Sequence, residues 1–337
     1  MLRIDEPKAD RLLFLDAFRG VCCLAVVAYH YTFRFSELYG YSFAVSEVAQ
    51  IGAKGVDAFF LVSGFVIFMT LERLKTAREF AISRFARLFP AYWIALIATF
   101  LMVGWLGLPG REATFGQFLM NFTMLQEFFF VPHVDGAYWT LTVELIFYFW
   151  IFWLVRFGLR RYACGFLIGL SAISVVAHIV FHNTHIGAVL GKLILLDQGP
   201  LFFSGVVFYL LWSGSASFSL ASTSLLAALV AMCCMQGSLS KAFALVVIYL
   251  VFYLFSSRRL DGVPVSRALV FLGGLTYPLY LVHQNIGYSV ILSARPTVGE
   301  VPAIVLAFCV VFFMAILIKY YIEDPAARLI KRKFMHK

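Results

Sequence analysis

The stretch LDAFRGVCCLAVVAYHYTF, residues 15–33, has the apolar length of a membrane-spanning helix, yet it carries Asp16, Arg19 and His30. About 20 mostly apolar residues cross the hydrocarbon core, and an ionisable group at that depth is costly enough to need a function. Helical spacing orders the three groups. Arg19 and His30 are separated by roughly 1100° of rotation, so they lie ~20° apart around the helix and ~16 Å apart along it. Asp16 stands three residues before Arg19, on nearly the same stripe and within pairing reach. One face therefore carries an ion pair at one end and an imidazole at the other. Asp16 and Arg19 also suit a second reading, as anchors of the helix at the membrane surface.

The whole chain has the same character. Of its 337 residues 62% are hydrophobic and 13% charged, whereas soluble domains are nearer half apolar and a quarter charged. Ten spans are expected, near 12–33, 55–72, 88–107, 138–157, 162–182, 198–213, 219–236, 241–256, 268–293 and 301–322. Long unbroken apolar runs favour helices over a closed barrel. The expected fold is thus an all-α integral membrane bundle of about ten helices, forming one transmembrane domain over 1–337 with no appended soluble domain. The outer connection 108–137 is expected to lie along the interface or to fold back over the bundle mouth.

The net charge of +9 follows topology rather than nucleic-acid binding. With the N-terminus inside, nineteen Lys and Arg residues fall on the cytoplasmic side, among them Arg84, Arg87, Arg160, Arg161, Arg258 and Arg259, against six outside. That bias places both termini in the cytoplasm. The N-terminal MLRIDEPKADR lacks a short apolar region with a cleavage site, so a retained first helix is expected. The six cysteines sit in apolar runs without metal-ligand spacing and read as small packing residues. His178, His182 and His185 are spaced by four and three but have no carboxylate or thiol beside them, so no metal is expected.

Depth links further residues to the first helix. Glu144, Asp57 and His283 are each expected in the outer half, at the level of His30. An imidazole beside a carboxylate is a general-base arrangement; a buried polar network that merely joins helices is the other reading. Near the cytoplasm, SRFARLFP sets Arg84 and Arg87 three residues apart. Forked guanidiniums suit phosphate, and a basic loop beside anionic lipid is equally ordinary. Glu323, at a helix end, is unfavourable for the helix dipole and calls for a cationic partner such as Arg84 or Arg87.

These motifs together resemble the membrane acyltransferase-3 family. LDAFRG…AVVAYH resembles its Arg-x10-His signature, here Arg19 and His30, and GVDAFFLVSGFVI its second-helix motif. SRFARLFPAYW resembles the Arg-x-x-Arg motif and YWTLTVELIFY the Trp-Ser-Leu-Ser-Val-Glu motif; GGLTYPLYLVHQ and YYIEDPAARL resemble the last two helices. Six motifs in order cover nearly the whole chain. The resemblance implies transfer of an acyl group, commonly acetyl, from acyl-CoA to a hydroxyl of a saccharide, lipid-linked glycan or other small molecule. It implies His30 as the catalytic imidazole and Arg19, Arg84 and Arg87 as donor-binding residues. Glu144 holds the Val-Glu position, but Leu145 replaces a second acid common in the family, which leaves a paired-carboxylate role without its partner.

On this reading His30, oriented by Glu144 or Asp57, deprotonates the acceptor; a transient acyl-imidazole is the alternative. Ser63 or Tyr280 can donate to the developing oxyanion, and with His283 they are the candidate substrate contacts. Asp16 and Glu323 are supporting residues, and the setting is the inner membrane of a bacterium. The expected partners are acyl-CoA, a glycan acceptor and membrane lipid, without nucleic acid or metal. The rival function is a proton-coupled transporter with His30, Glu144 and Asp57 as its relay.

Overall fold

The computed structural model describes residues 9–74, 76–181 and 191–335, and the regular structure among them is entirely helical. In chain order the helices are α1 Ala9–Tyr29, α2 Gly55–Arg73, α3 Ala77–Leu106, α4 Phe115–Asn121 and α5 Trp139–Arg156. There follow α6 Ala163–Phe181, α7 Gly199–Trp212, α8 Phe218–Cys234, α9 Leu239–Ser256, α10 Arg267–Val282, α11 Asn285–Val298, α12 Glu300–Leu317 and α13 Asp324–Met335. Among the described residues, 7 helical stretches are long and apolar enough to cross a membrane, and α7, α8 and α10 are shorter apolar helices. The chain is an all-α, multi-pass integral membrane protein, as a run of apolar segments with self-satisfied backbones requires.

Two of the expected spans change. The third, expected at 88–107, begins at Ala77, because the Thr76 hydroxyl accepts the Glu79 N–H (3.1 Å) and caps a helix of 30 residues. At ~45 Å this helix exceeds the hydrocarbon core, so Arg84 and Arg87 lie within it rather than in a loop before it. The expected ninth span, 268–293, is interrupted: His283 and Gln284 form a turn between α10 and α11. The connection 108–137 contains α4, which opens with a reciprocal Thr114–Gln117 capping box. Its buried Asn121 donates to the Gln117 and Pro132 carbonyls (2.8 and 3.1 Å) and accepts the Val134 N–H (3.1 Å). His182, His185 and His336 lie outside the described residues.

Two helices widen into π turns, at His30–Arg34 after α1 and at Ile318–Glu323 after α12. Such widened turns recur at functional sites because they turn side chains off the regular helical stripe.

The chain packs as two compact units. One contains α1 up to Cys22, α2, and the chain from Val143 to Val270. Its core is the pair α2 and α7, where Gly64 faces the Phe202 carbonyl and Gly205 faces that of Leu61, with no room for a Cβ at either glycine. Small residues let membrane helices approach until their backbones touch. Aromatic rings close the space around them: Phe147 stacks on Phe202 (4.2 Å between centroids), and Phe65 meets Tyr209, Trp212 and Phe255. The other unit holds Cys23–Gly52, Leu74–Thr142 and Phe271–Lys337, with α3 packed against α11 and α13 and with α11 against α12.

Gly64→Val forces α2 off α7 and is expected to destabilise the protein by ~2–3 kcal/mol, as overpacking does. A fall in the thermal midpoint of detergent-solubilised protein checks this; an unchanged midpoint would mean that the contact is slack.

Candidate active site

His30 opens the π turn after α1, and its ring partners belong to its own unit. Its Nδ1 is 2.9 Å from the Val26 carbonyl and 3.2 Å from Nε2 of His283. The two rings meet edge to face with centroids 4.7 Å apart. His283 is fully buried, and its Nδ1 lies 2.7 Å from the Tyr280 carbonyl. Carbonyls only accept, so each Nδ1 must carry the proton. His283 Nε2 is then an acceptor, and His30 shares its Nδ1 proton between that nitrogen and Val26. His30 Nε2 therefore keeps its lone pair, and it has no hydrogen bond among the described residues. Within this unit the partner of the His30 ring is a second imidazole.

The interruption that places His283 is clamped by Asp135, which the sequence reading missed. Asp135 is wholly buried; its Oδ1 accepts the Ala137 N–H (2.8 Å) and its Oδ2 the Asn285 N–H (2.9 Å). One carboxylate thus caps the turn leading into α5 and also the first residue of α11, where both helix dipoles favour negative charge. Asn285 reinforces the clamp, donating to the Val134 carbonyl (2.9 Å) and accepting from Arg111 (3.2 Å). Burial pushes the Asp135 carboxyl up to about 6, while the Ala137 and Asn285 N–H groups and the Arg111 charge oppose the rise. On the other side of the turn, the Tyr31 hydroxyl donates to the His283 carbonyl (2.8 Å). It reaches that carbonyl across Gly287, where any Cβ would collide with the tyrosine. An Asp immediately ahead of a helical turn is a readable capping signal; its second partner, 150 residues away, is not.

At the other end of α3, Arg87 pairs with the buried Glu323, which also receives Lys319 Nζ at 2.9 Å. Lys319 further bonds Asp324 (2.8 Å), and the Arg87 guanidinium lies over the Tyr277 ring at 5.4 Å. The cationic partner expected for Glu323 is therefore Arg87, joined by Lys319. Arg84, one turn earlier, lies over the Phe80 ring at 5.9 Å.

The remaining candidates are engaged as follows. In the first unit Arg19 pairs with Asp16 at 3.1 Å. Asp57 is bound by Lys54 (2.7 Å), and Glu144 accepts from Ser63 (3.3 Å) and Tyr148 (2.8 Å). In the second unit the Tyr280 hydroxyl donates to the Ala137 carbonyl (3.0 Å), with Thr140 Oγ1 2.9 Å away. Neither Ser63 nor Tyr280 holds an idle hydroxyl. Among the described residues no group of His, Cys, Asp and Glu is arranged to hold a metal ion.

Residues 12–321 match the family described as an acyltransferase domain. The chain is 34% identical over 112 residues to the exopolysaccharide production protein ExoZ of Rhizobium meliloti, covering 29% of this chain and 32% of that protein. It is 26% identical over 185 residues to nodulation protein 10 of Rhizobium leguminosarum bv. viciae, covering 48% of this chain and 49% of that one. It is 36% identical over 114 residues to protein 2 in the picA locus of Rhizobium radiobacter, covering 32% and 54%. The matches span at most about half the length of these relatives. No solved structure matches.

The clamp predicts a pH signature. With a value of 3.8 unfolded and about 6 folded, the Asp135 carboxyl binds more protons in the folded state between those limits. Its contribution to stability is therefore complete below about pH 4, is lost as pH rises through about 6, and is constant above. Relative to Asp135→Asn, the native protein should lose roughly 3 kcal/mol across that window. Parallel stability curves for the two proteins would exclude this.

Proposed function

The chain belongs to the acyltransferase-domain family matched over residues 12–321, and on that premise we propose that it transfers an acyl group, acetyl first of all, from acyl-CoA to a hydroxyl of a saccharide or glycan. The exopolysaccharide role in one relative's name supports a glycan acceptor. The observation that carries the chemistry is the His30–His283 pair, whose tautomers the Val26 and Tyr280 carbonyls set.

In this mechanism the acceptor hydroxyl gives its proton to His30 Nε2 as its oxygen attacks the thioester carbon. The C–O bond forms and the carbonyl electron pair moves to oxygen; collapse then breaks the C–S bond. The departing thiolate recovers the proton from His30, leaving ester, thiol and the original tautomer. His283 holds the ring so that its free lone pair faces the reaction, the part expected of Glu144 or Asp57. The same lone pair would be the nucleophile if an acyl-imidazole formed first. Arg84 and Arg87 receive the phosphates of the donor as forked cations; Arg19, in the other unit, is a further donor-binding candidate. Glu323 and Lys319 hold Arg87 in place for that task.

The Lys and Arg distribution supports ten crossings with both termini cytoplasmic, in a bacterial inner membrane. That topology counts α10 and α11 as one interrupted passage.

Purified protein in nanodiscs, given labelled acetyl-CoA and an acceptor glycan, tests the proposal. His30→Ala is expected to remove transfer, with at least a 100-fold loss, while insertion and folding persist; full activity in that variant would refute the mechanism. Joint Arg84→Ala and Arg87→Ala substitution should chiefly raise the KM for acetyl-CoA, and an unchanged KM would return these arginines to membrane topology. Proton flux coupled to a solute, with no acyl transfer or thioester hydrolysis, would favour the transporter.

A further inference from the structure

Tyr288 lies one turn into α11, immediately beyond the interruption that carries His283. It is fully buried, and its hydroxyl has no hydrogen-bond partner among the described residues. A buried hydroxyl in that condition needs an explanation, because native folds rarely leave such groups unpaired. Its ring, by contrast, is firmly placed. It meets Phe35 at 5.5 Å and Tyr39 at 6.1 Å edge to face, and the Arg111 guanidinium covers it at 5.6 Å. The His30 imidazole stands 6.4 Å from it, centroid to centroid.

We propose that Tyr288 is a further catalytic residue, whose hydroxyl donates a hydrogen bond to the acyl carbonyl oxygen as that oxygen becomes negative. The inference rests on the acyl-transfer reading. In that reaction the carbonyl carbon is joined to an acceptor oxygen that has just given its proton to His30 Nε2, so the new oxyanion forms within a few ångströms of the imidazole. A phenol hydroxyl sits ~2.8 Å from its ring centre and donates over a further ~2.7 Å, a reach that falls inside the 6.4 Å between the two ring centres. The phenol keeps its proton throughout: charge goes to the carbonyl oxygen, is held by the hydrogen bond, and returns when the C–S bond breaks. The donor is fixed in advance by packing and lies in a site shielded from water, the condition under which such bonds are most effective. Ser63 and Tyr280, the hydroxyls expected for this part, are already engaged.

The test is steady-state acetyl transfer by Tyr288→Phe, which keeps the ring and its contacts. A fall in kcat of about 100-fold is expected, with the acetyl-CoA KM within about twofold of the native value. Incorporation of 4-fluorophenylalanine at position 288 fills the volume of the hydroxyl without its proton and should match the Phe variant. Incorporation of 4-aminophenylalanine, which restores a donor, should recover at least about a tenth of the native kcat. Full kcat in the Phe or fluoro variant, as when an internal water satisfies the hydroxyl, overturns the proposal, and so does an amino variant as inactive as Phe. Native protein that transfers no acyl group refutes the acyltransferase reading itself, whereas an active native protein beside an undiminished variant refutes Tyr288 alone.

Discussion

A single proton, on Nδ1 of His30, links the proposed chemistry to the fold. It faces the Val26 carbonyl and the His283 imidazole together, and so determines which nitrogen of His30 keeps its lone pair. The Val26 carbonyl is the regular i−4 neighbour on the helix, but the second acceptor comes from a residue 253 positions away. His283 reaches it because the chain turns between α10 and α11 instead of continuing as a helix.

That turn depends on a larger arrangement. A helix interrupted in the protein interior leaves N–H groups that need partners, and here Asp135 takes up the Asn285 N–H while Asn285 engages Val134 and Arg111. Desolvating a carboxylate is costly, so the clamp is tolerated only because two backbone donors and a nearby guanidinium share the site. Tyr31, which follows His30 directly, ties the other face of the turn through the His283 carbonyl. The two histidines are thus coupled twice, ring to ring and through Tyr31. At the far end of α3 the logic is the same: the π turn Ile318–Glu323 turns Glu323 toward Arg87, a contact between residues 236 positions apart.

Much of this was legible in the amino-acid order. The apolar runs, the charge asymmetry and the stripe carrying Arg19 and His30 are local patterns, and local patterns specify helices and their faces. The demand of Glu323 for a cation was also readable, since a carboxylate at a helix end is out of place. What escaped were features set by distant partners or by departures from regular geometry. Arg84 and Arg87 interrupt the apolar run, so the sequence pattern alone starts α3 after them, although Thr76 caps the helix before them. YPLYLVHQN reads as uninterrupted helix because nothing local marks His283 and Gln284 as a turn; Asp135 supplies the reason from another segment. From the sequence Glu144 and Asp57 are expected to orient His30; in their own unit Asp57 is bound by Lys54, and Glu144 accepts from Ser63 and Tyr148.

The central claim is that His30 carries its proton on Nδ1 and presents an unprotonated Nε2. Nitrogen-15 spectroscopy of histidine-labelled protein in nanodiscs at neutral pH, assigned by comparison with His30→Gln, measures this directly. The account predicts a pyrrole-type Nδ1 and a pyridine-type Nε2 for His30. The opposite tautomer, with the proton on Nε2, would contradict it.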